Sequence, residues 1–225
     1  MAQNPFKGRL LRIYQSLLHH FGPQGWWPGK SRFEVIVGAI LAQNTAWANV
    51  EKALANLRAQ GALRVEGFSS LSFEELARLI VPSGYYTIKA KRLQAFLDFL
   101  RERYGGNLGR MFKQDPSTLR DELLAVPGIG EETADSILLY AGRHPTFVVD
   151  AYTKRVLRRH GLIDQKASYQ EVQRLFLENL PPDTALFNEY HALFVAVGKC
   201  FCLKEAPRCD NCPLKWDLKP PGGPS

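Results

Sequence analysis

Apolar residues recur along this chain at the three- and four-residue spacing of amphipathic helices. In the N-terminal segment this spacing is kept by Leu10, Leu11, Tyr14, Leu17, Leu18 and Phe21. Residues 33–41 are almost all apolar, which predicts a helix buried on every side. A serine followed by a glutamate three residues later predicts capping boxes, and therefore helix starts, at Ser72 and Ser168. Two more helices are predicted over residues 86–104 and 183–197.

A β-sheet is not expected. Only residues 147–149 have the character of a strand, and three residues are too few to build a sheet on. We therefore predict an all-α fold. A chain of 225 residues can bury a sizeable core, either as one large domain or as two small lobes.

The charge balance points to a polyanionic partner. The chain has 29 Lys and Arg residues against 22 Asp and Glu residues, a formal net charge of +7, which favours binding to nucleic acid. The N-terminal sequence lacks the uninterrupted apolar core of a secretory signal, and no apolar run approaches membrane-spanning length. We expect a cytoplasmic, nucleoid-associated protein without a membrane segment.

All four cysteines lie close together near the C-terminal end, at Cys200, Cys202, Cys209 and Cys212. No cysteine elsewhere could pair with them, so a disulfide framework is not expected. Thiolates gathered in one short loop suit a soft metal centre. Zinc modules usually divide their ligands into two distant pairs, which favours a 4Fe–4S cluster. A zinc site and a set of free thiols remain the alternatives.

A Gly-x-Gly turn lies between two predicted helices. One helix should end near Val126 and the next should begin at about Glu131, with Gly128 and Gly130 in the turn between them. Glycine lets the backbone turn sharply and approach another surface closely. The free N–H groups of the turn and of the following helix could bind a DNA phosphate. An ordinary helix–helix turn would show the same pattern.

The segment that follows this turn carries a family resemblance. With Asp150 in the sequence Val-Val-Asp-Ala-Tyr-Thr-Lys-Arg-Val, the chain resembles the endonuclease III superfamily of DNA glycosylases, which has a helix-hairpin-helix followed by an essential aspartate. Residues 41–45 are similar to the family segment that fills the gap left by a flipped base, and Gln43 matches the filling residue. Residues 84–90 look like the family's Gly-x-Tyr-x-x-Lys-Ala helix start.

The resemblance implies a two-lobed helix-hairpin-helix glycosylase fold with a cleft between the lobes. The matching motifs keep the family order from about residue 30 to residue 215. One lobe, residues 25–144, would be a six-helix barrel-like domain that contains the hairpin. The other would combine residues 1–24 with residues 145–225 and carry an iron–sulfur loop at residues 200–212.

The resemblance also assigns roles to single residues. Asp150 would be catalytic, stabilising the positive sugar and orienting water, although its place before a helix also suits an N-cap. Besides Gln43, the DNA-binding residues would be Gly128, Gly130, Thr133, Lys154 and Arg158. The last two could instead belong to an ordinary solvated helix face. The partner would be double-stranded DNA with a damaged base, bound by a monomer.

Two departures from the family pattern affect the prediction. Cys202, Cys209 and Cys212 match the first three cluster ligands of the family, but the position of the fourth is Leu218. Cys200 would therefore have to supply the fourth ligand from the other side of the loop. The lysine that forms a Schiff base in the bifunctional enzymes is replaced by Glu132. A carboxylate cannot form an imine, so lyase activity should be absent or weak.

A narrower resemblance suggests the substrate. Trp26, Trp27, Pro28 and Trp47, with the acidic Glu132, are similar to the pocket of the endonuclease III-like 3-methyladenine DNA glycosylases. N3-alkylation makes adenine cationic, and aromatic rings attract such a cation when water is excluded. Glu132 would be the second catalytic residue and could add a negative charge or a hydrogen bond at the base edge, although a glutamate in the first turn of a helix is also favoured by the helix dipole. The tryptophans could also be ordinary core packing.

We therefore predict a DNA N-glycosylase that excises 3-methyladenine or another alkylated purine without strong AP-lyase activity. A glycosylase acting on oxidised pyrimidines, or on mismatched thymine or uracil, is the nearest alternative. From another class, the chain could be a non-catalytic DNA-binding iron–sulfur module. Asp150 argues against that module, because a mere binder does not need a carboxylate facing DNA.

Overall fold

The computed structural model describes residues 5–27 and 29–218, and all the regular secondary structure within them is helical. The helices are α1 (Pro5–Phe21), α2 (Arg32–Leu41), α3 (Trp47–Ala59), α4 (Val65–Ser69), α5 (Phe73–Leu79), α6 (Tyr86–Tyr104), α7 (Leu108–Met111), α8 (Pro116–Leu124), α9 (Glu131–Ser136), α10 (Ala151–Arg159), α11 (Tyr169–Leu177) and α12 (Thr184–Cys200). None of the helices described is long and apolar enough to cross a bilayer. The predicted all-α fold is confirmed.

Residues 147–149 do not form the short strand that their sequence suggests. They are a buried connection without regular secondary structure before α10. Side chains form hydrogen bonds with some of its backbone groups. The Gln173 amide donates to the Phe147 carbonyl at 2.8 Å, and the Val149 N–H donates to the Tyr169 hydroxyl at 3.3 Å. The apolar character of this segment therefore reflects burial and not pairing with another strand.

The chain divides into two compact units, Trp27–His144 and Met1–Trp26 with Pro145–Ser225. The first unit is built around α2. Every residue from Phe33 to Leu41 is buried, as the sequence predicts, and α2 packs against α3, α6 and α9. The capping box predicted at Ser72 is present at the start of α5.

A buried lysine joins two turns of this first unit. The Lys89 ammonium donates to the Leu41 carbonyl at 2.8 Å and to the Ser83 carbonyl at 2.7 Å, and burial lowers its pKa to about 8. The turn after α2 and the turn before α6 are therefore fixed beside each other. Asn44 in the first turn and Tyr85 in the second both have left-handed backbone, with φ of 53° and 47°. Such strain in non-glycine residues is characteristic of functional sites.

In the second unit α12 packs against α1 and α10. Its core is largely aromatic: Tyr190 and Phe194 stack with ring centroids 4.8 Å apart. The Tyr190 hydroxyl donates to the Leu10 carbonyl of α1 at 2.8 Å. The capping box predicted at Ser168 opens α11. The fold thus places the start of α10, where Asp150 lies, beside a well-packed helix.

Candidate active site

The turn between α8 and α9 forms the predicted hairpin. The second helix begins at Glu131, as expected, while α8 ends at Leu124, slightly before the predicted position. Gly128 has a φ of +86°, and a Cβ there would clash with the side chain of Arg92. Gly130 differs from expectation, because its backbone is extended and open space surrounds its α-carbon. The turn therefore requires glycine only at Gly128. At Gly130 the missing side chain leaves the N-terminus of α9 accessible.

Gln43 is hydrogen-bonded to this hairpin. Its side-chain amide nitrogen donates to the Gly128 carbonyl at 3.0 Å and to the Thr133 hydroxyl at 2.9 Å. Its amide oxygen accepts a hydrogen bond from the Arg92 guanidinium. Three residues predicted from the sequence to bind DNA are thus brought together, although Thr133 is buried and its hydroxyl contacts Gln43. Arg92 was not predicted, because nothing in its local sequence distinguishes it from a solvated arginine.

A buried ion pair fixes the second helix of the hairpin to the first. Asp135 is fully buried, and both of its carboxylate oxygens accept from Arg120 of α8, at 2.9 and 3.0 Å. Glu132, in the first turn of α9, is exposed. Its carbonyl accepts from the Ser136 hydroxyl at 2.6 Å. Glu132, predicted from the sequence to occupy the position of the family's lysine, is therefore an exposed residue on a firmly held helix.

Two of the predicted pocket tryptophans are in contact. Trp27 and Trp47 meet edge to face with ring centroids 4.9 Å apart, and Tyr140 lies 5.0 Å from Trp27. Tyr140 comes from a π-helical segment that continues α9, a type of distortion found often at functional sites. Trp27 and Trp47 are half-buried. Tyr140 was missed because its sequence reads as the continuation of a regular helix.

The other two predicted pocket residues are Trp26 and Pro28. Trp26 is half-buried and belongs to the other unit. Pro28 lies outside the described residues.

Asp150 combines two roles in one side chain. It is the N-cap of α10, and its Oδ1 accepts from the Thr153 N–H at 2.7 Å. Its Oδ2 lies 3.5 Å from Nε2 of His191 on α12. Burial by itself raises the pKa of Asp150, but His191 and the Thr153 N–H outweigh it, so the pKa lies below its ordinary value. His191 was missed, since no motif surrounds it in the sequence.

The basic residues of α10 form two pairs, and one pair contacts the cysteine loop. Arg155 donates to the Cys202 carbonyl at 2.6 Å, and Arg159 donates to the Cys202 sulfur at 3.2 Å and to the Leu203 carbonyl at 2.6 Å. Lys154 and Arg158, the two predicted DNA contacts, are partly exposed. Lys154 and Arg158 are four residues apart, as are Arg155 and Arg159, so each pair lies along one face of the helix.

Three of the four cysteines line one apolar pocket. Cys202, Cys209 and Cys212 surround it together with Leu218. Burial raises the pKa of the Cys212 thiol, and the nearby sulfurs of Cys202 and Cys209 raise it further. Cys200, the last residue of α12, is exposed. Among the described residues, no three His, Cys, Asp or Glu side chains are arranged to hold a single metal ion.

Comparison with known proteins gives a consistent result. Residues 37–182 match the family model described as HhH-GPD superfamily base excision DNA repair protein. A protein of Methanocaldococcus jannaschii, provisionally named a DNA repair glycosylase, is 49% identical over 96% of this chain and 97% of its own length.

Two solved structures are also similar. An endonuclease III in non-covalent complex with DNA has a TM-score of 0.80 and 23% identity over 95% of both chains, which shows the fold. The 3-methyladenine DNA glycosylase of H. pylori, bound to 1,N6-ethenoadenine, has a TM-score of 0.75 and 28% identity over 86% of this chain and 97% of that chain.

Proposed function

We propose that this chain, which belongs to the HhH-GPD superfamily of base excision DNA repair proteins, excises alkylated purines, 3-methyladenine above all, and leaves the DNA strand intact. The observation that carries the proposal is Asp150, a largely buried carboxylate that lies 3.5 Å from Nε2 of His191 and whose pKa is below its ordinary value. We propose that the protein acts as a monomer on duplex DNA in the cytoplasm, at the nucleoid.

The reaction needs little more than charge stabilisation. N3-methylated adenine is cationic, so it leaves with the electron pair of the glycosidic bond as a neutral base and needs no acid. As that bond breaks, positive charge develops on the sugar, and the carboxylate of Asp150 would stabilise it. Asp150 would also orient the water whose oxygen adds to C1′ and whose proton is released.

The aromatic residues support a cationic substrate. Trp27, Trp47 and Tyr140 form one contact cluster, and the two tryptophans keep part of their surface accessible. An electron-poor base stacks well on such rings, and its charge is attracted to their faces. The H. pylori protein, which binds 1,N6-ethenoadenine, is a relative whose name agrees with this substrate class.

DNA would be held by the first unit around the hairpin and by α10. The N–H groups near Gly128 and Gly130 would anchor a phosphate, and Lys154 and Arg158 would add charge. Gln43 would fill the gap left by the flipped nucleotide. Tyr85, 70% exposed in strained backbone next to the Gln43 turn, would stack on a neighbouring base.

The absence of lyase activity is proposed from Glu132. An imine requires an amine nucleophile, and this exposed carboxylate stands where the bifunctional family members have a lysine. The expected product is an abasic site in an unbroken strand, which breaks only when alkali or a separate lyase is added.

A 4Fe–4S cluster fits the cysteine pocket in part. Thiolates of Cys202, Cys209 and Cys212 would hold it, and the Arg159 N–H at the Cys202 sulfur is a contact that stabilises thiolate charge. Leu218 lines the same pocket, and Cys200 remains the proposed fourth ligand. When bound, the cluster would hold the loop together, and no step of base excision is assigned to it.

The test is a panel of duplexes, each with one defined lesion. We expect release of 3-methyladenine, intact strands before alkali treatment and no borohydride-trapped adduct. Glu132→Lys should then introduce a trappable imine, because it restores an amine at the matching position. Excision of oxidised pyrimidines or of mismatched thymine by the unaltered protein would contradict the substrate, and a trapped adduct from it would contradict the absence of lyase activity.

A further inference from the structure

In the free protein the amide of Gln43 has no donor left for DNA. Its two N–H groups have acceptors in Gly128 and Thr133, and its oxygen accepts from Arg92. The orientation is fixed chemically, because a guanidinium can only donate and the Gly128 carbonyl can only accept. Filling a gap in stacked DNA would require this side chain to leave at least one of these partners.

Arg92 is placed to control that release. It lies on α6, and its side chain packs so closely against Gly128 that a Cβ on this glycine would clash with its Cγ, Cδ and Nε atoms. Its guanidinium therefore lies beside the turn whose N–H groups are the proposed phosphate anchor. The same guanidinium binds the oxygen of Gln43. One side chain thus contacts both the turn and the gap-filling residue.

We propose that Arg92 is a positioning residue that keeps the Gln43 side chain hydrogen-bonded to the hairpin, which we call the stowed state. Gln43 would be released when the Arg92 guanidinium binds a DNA phosphate instead. This proposal rests on the DNA-binding part of the proposed function and does not depend on which base is excised. A guanidinium forms shorter and stronger paired hydrogen bonds with a phosphate than with a neutral amide. The Gln43 side chain would therefore be released only after a duplex has bound to the hairpin through its phosphate.

The stowed state can be observed without any reaction. In the ¹⁵N-labelled protein, the side-chain NH₂ resonances of Gln43 are identified by their loss in Gln43→Ala. We expect them to exchange with water about tenfold more slowly than those of an exposed glutamine. Arg92→Met should abolish this protection. Lys91→Met, which removes the same charge from the adjacent exposed position, should preserve it.

Adding an undamaged duplex at low salt should abolish the protection in the unaltered protein as well. The dependence of log K on log salt should be shallower by about one in Arg92→Met, because one phosphate contact is lost. Protection that survives in Arg92→Met, resonances that do not respond to bound duplex, or an unchanged salt slope would each overturn the proposal. Circular dichroism establishes that the variant is folded.

These measurements use undamaged DNA and no excision. A protein that fails to excise any lesion but shows the protected, Arg92-dependent amide would contradict the proposed function alone. A protein that excises 3-methyladenine while its Gln43 amide is unprotected would contradict this inference alone.

Discussion

Asp150→Asn separates the chemical role of this residue from its structural one. The substitution keeps an oxygen that can accept from the Thr153 N–H, now 2.7 Å from Oδ1, so the N-cap of α10 is retained. It removes the negative charge and places an amide toward His191. Asparagine and aspartate are about equally good N-caps, so the helix should still form.

The expected magnitudes differ widely between the two roles. Removing one preorganised electrostatic group from a site that excludes water costs about 10²–10³ in kcat, or about 2.7–4 kcal/mol. The Asp150 side chain is only 11% exposed, so such a site is the appropriate reference. The loss of folding stability should be about 1 kcal/mol or less, which lowers Tm by about 2–4 °C in a chain of this size.

The pH dependence has a definite sign. Because the folded pKa of Asp150 lies below its ordinary value, the ionised carboxylate stabilises the fold above the unfolded pKa. That contribution is lost as pH falls through the lower, folded pKa. The difference in free energy of unfolding between the unaltered protein and Asp150→Asn should therefore decrease as the pH is lowered through that pKa.

The assay is single-turnover release of 3-methyladenine, with duplex binding measured in parallel. Asp183→Asn is the matched control: Asp183 caps α12 by accepting from two backbone N–H groups, at 2.8 and 3.2 Å, and lies in the same unit. We expect Asp183→Asn to retain excision. If Asp150→Asn excises within about tenfold of the unaltered protein, or loses duplex binding and folding along with excision, a catalytic carboxylate is the wrong interpretation.

Three further substitutions test the pocket, the hairpin and the cysteine loop. Trp27→Leu should weaken binding to duplexes with an alkylated purine by about 1–3 kcal/mol while leaving undamaged duplex unaffected, as measured by fluorescence anisotropy. Arg120→Ala leaves the carboxylate of Asp135 buried without its cation and should cost about 3–5 kcal/mol in urea unfolding; a loss below about 1 kcal/mol would contradict the importance of this pair. Cys200→Ser should lower the iron and sulfide content of purified protein, and Leu218→Cys should restore it in that background; unchanged iron after Cys200→Ser would exclude this ligand.

Local signals account for the helices that the sequence predicted well. The segment 86–104 forms a helix with the predicted bounds, and both serine–glutamate capping boxes are present. Each of these features depends on residues within a few positions of one another. The segment 147–149 shows the limit of this approach, because a short apolar run has the same composition whether it pairs as a strand or is buried as an irregular connection.

The candidate site was predicted only where a motif marks it. Gln43 and Asp150 lie in recognisable segments, but the partners of both come from distant helices. Arg92 reaches Gln43 from α6, and His191 reaches Asp150 from α12. A lone arginine or histidine on an amphipathic helix has no sequence signal that distinguishes a partner of the site from a surface or core residue. Such residues become visible only when packing brings the helices together.

Helix α10 links the cysteine loop to the candidate catalytic carboxylate. Asp150 caps its first turn, while Arg155 and Arg159 bind the loop through the Cys202 carbonyl and sulfur. The structure shows which basic residues of this helix face the cysteines. The cluster proposed for this loop would also fix α10, and with it the position of Asp150. The cysteine loop therefore has a mechanical connection to the carboxylate that requires no electron transfer.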